Sequence, residues 1–183
     1  MSRDAVIVST ARTPLTKAAR GAFNNTTGAT LGGWSFAAGV QRAAWSYGLP
    51  PQGGAISFGK WRSDAPGHPT VDINVDRFRV GPEFFELYGI PLLRGRTFEP
   101  SDQQGAVVIG ERIAQTLWPG LDPIGRTFSF EKETFHVIGL AREIHHPSLE
   151  TRFDRPEFYE VFAGVGSYAM MSIRCGATCP DTA

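Results

Sequence analysis

The chain has 183 residues, 18 Lys and Arg against 18 Asp and Glu, four His and two Cys, so its formal net charge is zero. That balance gives no electrostatic ground for a nucleic-acid or anionic-membrane partner, because both need clustered positive charge. At 42% hydrophobic and 20% charged, the composition is that of a globular chain able to bury a core, in one domain or one domain plus an appendage. Cys175 and Cys179 cannot form a disulfide framework, and their spacing gives no strong metal signature.

In chain order, the first apolar run, Ala5 to Val8, reads as a short buried strand closed by Thr13-Pro14. It is shorter than the roughly 7–15 apolar residues of a signal peptide, and no stretch approaches the ~20 residues of a spanning helix. As written, the chain is expected to lack an export address, to insert in no membrane directly and to be cytoplasmic. The stretch to Gly33, rich in Gly, Asn and Thr, reads as loop. Between Trp34 and Tyr47 the apolar positions fall three and four apart, which predicts a short helix weakened by Gly39. Leu49 to Gly54 breaks the chain, and Ala55 to Trp61 is a candidate strand.

Val71, Ile73 and Val75 alternate with Asp72, Asn74 and Asp76, the period of a half-buried strand, continuing toward Val80. Gly81-Pro82 opens a helix with Phe84, Phe85 and Tyr88 inward, and Gly89 closes it. Ala106 to Ile109 predicts a buried strand, and Glu111 to Trp118 a helix whose Ile113, Ala114, Leu117 and Trp118 share one face. Arg126–Phe130 and Thr134–Leu140 flank Glu131-Lys132-Glu133 as a hairpin; Phe158–Phe162 and Tyr168–Ile173 add two strands. Strands and short helices interleave irregularly, so the fold class is α+β, a mixed sheet with short helices.

Chemistry is sparse. Ser167, within GVGSY, lacks the order of a nucleophile elbow, and no phosphate-cradling glycine loop occurs. His145 and His146 beside Glu143 form the most metal-like cluster, but neighbouring side chains diverge, so a site would need His136, His68 or Cys179 as well. A polar loop before Pro147 is the favoured reading. Cys175 and Cys179 read as terminal thiols, unpaired or locally oxidised, without a catalytic role. The pairs Arg77/Arg79 and Arg94/Arg96 sit two apart and could together hold an anion. Solvation, or pairing with neighbours such as Asp72, Asp76, Glu99 and Asp102, is favoured. No catalytic, cofactor or metal residue is assigned, and no cofactor is expected.

Two resemblances follow from the residues. DAVIVSTARTP at the start, Lys17, RGAF at 20–23 and ATLGG at 29–33 resemble the N-terminal segment of a thiolase, an acetyl-CoA acetyltransferase. In that family the segment is scaffold, and the acyl-accepting cysteine motifs are not among the matching residues. WSYGLPPQGGAISFGKW at 45–61, VDINVDRFRVGPEFFELYGIPLLRGRTFEPSD at 71–102, VVIGERIAQTLWPGLDPIGRTF at 107–128 and FHVIGLAREIHHPSL at 135–149 resemble the extracytoplasmic core domain of MacB/FtsX-like ABC transporter permeases. One departure is Gly110, where a capping serine or asparagine is common, which weakens the start of the next helix.

The second resemblance implies a non-catalytic periplasmic module that transmits motion or binds transporter or periplasmic protein partners. It also implies a division into a thiolase-like leader and junction, 1–44, and a core domain, 45–183, truncated at its C-terminal end. On that division, deleting residues 1–33 is expected to lower the melting temperature little. The alternatives are a fragment or relative of a thiolase-type acyl-CoA acyltransferase, and a chimeric or frame-joined product without a cognate partner.

Overall fold

Long-range strand pairing organises this chain more than local helix propensity does. The computed structural model describes residues 6–9, 40–48, 54–67, 70–99, 101–102, 105–144, 155–161 and 170–175. In order, the elements are β1 (Val6–Ser9), β2 (Val40–Tyr47), β3 (Ala55–Ser63), β4 (Val71–Val80), α1 (Phe84–Tyr88), β5 (Leu92–Gly95), β6 (Ala106–Gly110), α2 (Glu111–Leu117), β7 (Thr127–Phe130), β8 (Glu133–Ala141), β9 (Glu157–Val161) and β10 (Met170–Cys175). The mixed sheet with short helices is the α+β architecture expected from the sequence.

The strands follow the order β1-β10-β2-β4-β3-β7-β8-β6-β9, with β5 on β8, and β9 returns to pair in parallel with β4. Strands β4, β3, β7, β8, β6 and β9 therefore form a closed ring, and β2, β10 and β1 extend from β4 as a side wing. Closure removes the free edges that an open sheet would present.

The ring interior holds Trp61, Val75, Val107, Ile109, Phe128, Phe130, Phe135, Val137 and Phe158, joined by Ile113, Ala114, Leu117 and Trp118 of α2. Trp61 is fully buried, stacks on Phe130 at 4.3 Å between centroids and donates its indole N–H to the Ile73 carbonyl at 3.0 Å. A second core lies outside the ring, where Phe78, Val80, Val108 and Tyr159 meet Phe84, Phe85 and Leu87 of α1, with Ala44 of β2 and Phe98. Burying each large side chain contributes about 1.5–3 kcal/mol.

β4 serves both cores. Val71, Ile73 and Val75 face the ring interior as their alternation predicts, while Phe78 and Val80 occupy the outer core. The inward stripe of α1 includes Leu87, fully buried, and Gly89 ends the helix in the left-handed region at φ 67°. The four predicted inward residues of α2 are all buried. The hairpin β7–β8 turns at Glu131-Lys132, with Phe130 opposite Glu133.

The helix expected over 34–47 is corrected: its described part, 40–47, is strand β2. Ser46 and Tyr47 pair with Val80 and Arg79 of β4, and Ala43 to Ser46 pair with β10. From Ala43 to Tyr47 the buried Ala44 and Ser46 alternate with the less buried Ala43, Trp45 and Tyr47, the period of a strand, and partners far away in sequence override the three-and-four spacing. The boundary expected between 44 and 45 falls inside this strand. Strand β5 was not anticipated. It depends on Gly95, at φ 72°, where an added Cβ would collide with the Ile138 carbonyl oxygen of β8.

Candidate functional site

Four of the charged residues that stand out in the sequence, Asp76, Arg77, Arg79 and Glu143, are brought to two polar clusters. The first lies at the end of the ring near the start of β6. Arg77 projects from β4 toward the aromatic interior, its guanidinium carbon 5.2 Å from the Phe135 ring centroid and 5.7 Å from that of Phe158. Its Nε donates to Glu160 Oε1 at 2.5 Å, its Nη2 to Glu160 Oε2 at 2.7 Å and its Nη1 to Glu133 Oε2 at 2.7 Å. Burial works against this cation, but its hydrogen bonds to the Glu160 and Glu133 carboxylates outweigh it and raise its pKa, keeping it protonated. Arg79 adds a longer contact to Glu160 at 3.3 Å.

The second cluster gathers where β6 passes into α2. Gly110 is the N-cap of α2 and offers no side-chain hydrogen bond. Glu143 supplies one from the segment after β8: its Oε2 accepts the Arg112 backbone N–H at 3.2 Å and the Arg112 Nε at 2.9 Å. A carboxylate at a helix start satisfies a free N–H and complements the helix dipole. Arg112 also donates through Nη2 to the Arg155 carbonyl at 2.8 Å, and Arg155 Nε reaches the buried Asp76 at 3.0 Å. Glu157, fully buried, accepts from the Ile144 N–H at 2.7 Å and from the Tyr159 hydroxyl at 2.8 Å.

Within this cluster Glu143 Oε1 is buried without a hydrogen-bond partner. Burial first, and then the negative charge of Glu157, push the Glu143 carboxyl up, although Arg112 opposes them. Burial followed by Glu157 also raises the Tyr159 phenol well above its ordinary value, so it stays a neutral donor.

Arg77 and Arg79 share Glu160, Arg94 pairs with Asp122 at 2.6 Å, and Arg96 forms a two-pronged pair with Asp102 at 2.7 Å. Pairing is thus the observed state of all four arginines. The partners of Arg77 and Arg79 come from β8 and β9, however, and not from Asp72 or Asp76. His136 is exposed on β8, while His68, His145, His146, Ser167 and Cys179 lie outside the described residues. Cys175 ends β10 in a disulfide. Among the described residues, no group of three or more His, Cys, Asp or Glu could hold a metal ion. Sequence reasoning missed Glu133, Glu157 and Glu160. Two carboxylates in the apolar run Glu157–Val161 were the available signal, because a carboxylate in a buried strand requires a cationic or N–H partner.

Comparison with known proteins bears on this architecture as a whole. The chain is 31% identical over 76 residues to the macrolide export ATP-binding/permease protein MacB of Neisseria gonorrhoeae, and equally to that of Neisseria meningitidis serogroup B. The match takes in 40% of this chain and spans 12% of each relative's length. The crystal structure of the periplasmic region of MacB from Actinobacillus actinomycetemcomitans is similar, with a TM-score of 0.56 at 17% identity, covering 81% of this chain and 64% of that one. The extracellular domain of the ABC-type transporter YknZ from Gram-positive bacteria also gives 0.56, at 19% identity, covering 82% and 73%. At these identities the likeness speaks for the fold.

The model of the MacB-like periplasmic core domain matches residues 9–163. These comparisons give no support to the thiolase resemblance of residues 1–33, most of which lie inside that matched stretch. With ring, wing and family model in agreement over most of its length, the chain belongs to the MacB-like periplasmic core domain family.

Proposed function

We propose that the chain serves as the extracytoplasmic domain of an ABC-type transporter permease, a non-catalytic module that transmits motion or binds partner proteins outside the membrane. The family match over residues 9–163 carries this reading. The geometry supports it: Arg77, Glu133 and Glu160 brace one end of a closed ring, and Arg112, Glu143 and Glu157 tie the head of α2 to β9. These charges hold strands in place, as a module that transmits motion requires. Among the described residues no helix is long and apolar enough to cross a membrane, and a periplasmic setting is proposed from the family.

The test is capture with the tagged chain from bacterial envelope extracts, run beside activity screens that include acetyl-CoA exchange. Specific enrichment of transporter components is expected. Failure to enrich any, or turnover abolished by a single substitution, overturns the reading.

A further inference from the structure

The outer face of β3 carries the most exposed aromatic ring among the described residues. Phe58 is 64% exposed, and it projects from the ring on the same side as Lys60 and Arg62, while Ser57 and Trp61 are buried. It stands at one end of an open groove of about 540 Å³. Lys60, Arg62, Thr70, Asp72, Ser129 and Glu131 line the rest. Lys60 stands opposite Asp72 on β4, and Arg62 opposite Ser129 on β7. Two cations and two carboxylates cancel, so the groove as a whole holds no field that would gather a charged ligand.

Its hydrogen-bonding capacity is nonetheless unspent. The arginines at 77, 79, 94, 96, 112 and 126 are committed to carboxylates, whereas none of the six polar side chains of the groove has an ion pair or side-chain hydrogen bond among the described residues. Glu131 sits at φ 53°, in the left-handed region that strains a residue with a side chain. Its carboxylate is thus held at the groove at a cost in backbone energy.

An uncharged ligand rich in hydroxyls meets these conditions. The face of an aromatic ring is electron-rich and receives the C–H face of a sugar ring, whose hydrogens are slightly positive. Each sugar hydroxyl both donates and accepts, which matches donors at Lys60 and Arg62 and acceptors at Asp72 and Glu131 within one groove. β3 is paired on both edges, by β4 and β7, so it offers an extended peptide no main-chain ladder. From Phe58 to Arg62 and from β4 to β7 the footprint is about 14 Å by 10 Å, the scale of a short oligosaccharide. We propose that the outer face of β3 binds a neutral oligosaccharide, with one sugar ring stacked on Phe58 and hydroxyls held by Lys60, Arg62, Asp72 and Glu131. This goes beyond the reading above, which concerns protein partners.

Isothermal titration of the full chain with chitotetraose, maltotetraose and cellotetraose tests it, beside the tetramers of galacturonic acid and of glucosamine as charged counterparts. At least one neutral tetramer should bind with a Kd of about 1 mM or tighter, unchanged between about 50 and about 500 mM salt. Phe58→Ala should weaken binding about tenfold or more, and Phe58→Trp should keep it. Asp72→Ala and Lys60→Ala should each weaken it about threefold. All three positions are exposed, and unchanged melting of the variants verifies their fold. Three results overturn the proposal: no binding of any neutral tetramer, affinity indifferent to Phe58→Ala, or tighter, salt-sensitive binding of a charged tetramer. Two more do so by reassigning the face: a peptide alternating Leu and Ser that binds through Phe58 as tightly as the sugar, or self-association of the chain that Phe58→Ala abolishes. The titration is read on the isolated chain, so it stands or falls separately from capture of transporter components.

Discussion

The Glu143 carboxylate occupies the space at the head of α2 that a side chain on Gly110 would take: a Cβ there would lie 3.0 Å from Glu143 Oε1 and 3.1 Å from the Glu157 carbonyl oxygen. The absent capping side chain and the borrowed carboxylate are therefore one arrangement. Gly110→Ala should push the carboxylate aside and cost about 1–2 kcal/mol. Glu143→Ala should cost about 2–3 kcal/mol, because it also removes the carboxylate that accepts from the Arg112 Nε. Urea unfolding of the double variant should show a loss smaller than the sum, since both changes remove the same cap. Strictly additive losses would mean that the two residues act independently.

Arg77 and Glu160 make a different kind of pair. Their side chains are 12% and 7% exposed, and without the other Arg77 keeps only Glu133 and Glu160 only the longer contact from Arg79. Arg77→Met or Glu160→Leu alone should cost about 3 kcal/mol or more, and the two together much less than either single change. Denaturant midpoints of the three variants decide the matter. A double variant as damaged as the worse single one would mean that Glu133 and the aromatic rings, more than Glu160, hold Arg77.

The pH dependence should have two limbs of opposite sign. Hydrogen bonds from Arg96 hold Asp102 below the usual carboxylate range, and those from Arg77 do the same for Glu133. Their stabilisation is fully present above the ordinary carboxylate pKa and is lost as pH falls through the lowered folded-state values. Glu143 is raised, so the folded state binds its proton more tightly, and stability falls as pH rises from the ordinary to the raised value. Glu143→Gln should remove this second limb and leave the acid limb in place. Melting profiles of the wild type and this variant that stay parallel from about pH 4 to 7 would contradict the assignment.

The N-terminal strand offers a direct test of the division between leader and domain. Val6 and Ser9 of β1 pair with Ile173 and Met171 of β10, which in turn pairs with β2. Deleting residues 1–33 strips β10 of one neighbour and should lower the melting temperature by about 5 °C or more. Calorimetry that gives the same transition for the shortened and full chains would keep those residues apart from the fold.

Local patterns made much of this fold legible. The alternation through Val75, the one-faced helix from Ile113 to Trp118 and the turn at Glu131-Lys132 each depend on neighbours within a few residues, where sequence speaks directly. The strand at Val40–Tyr47, the pairing of Leu92–Gly95 with β8 and the ring closure depend on contacts distant in sequence, which no local period encodes. The site follows the same line. That Arg77 and Arg96 would find carboxylates was readable; that Arg77 would reach β8 and β9 was not, because the topology brings those strands to it. Phe58 lies in a run whose composition suggests burial, and only the position of β3 on the outside of the ring shows that one of its faces is bare.

The parallel pairing of β4 with β9 joins segments far apart in the chain; Arg77 and Glu160 stand 83 residues from each other. During synthesis, β3 and β4 leave the ribosome as a hairpin long before β9 exists, with Trp61 and Val75 lacking most of the side chains that will enclose them. Non-local closure of this type is slow and leaves intermediates prone to aggregate. The growing chain therefore passes through a prolonged unsealed stage, in which a holding chaperone would find the half-built barrel and not the finished one.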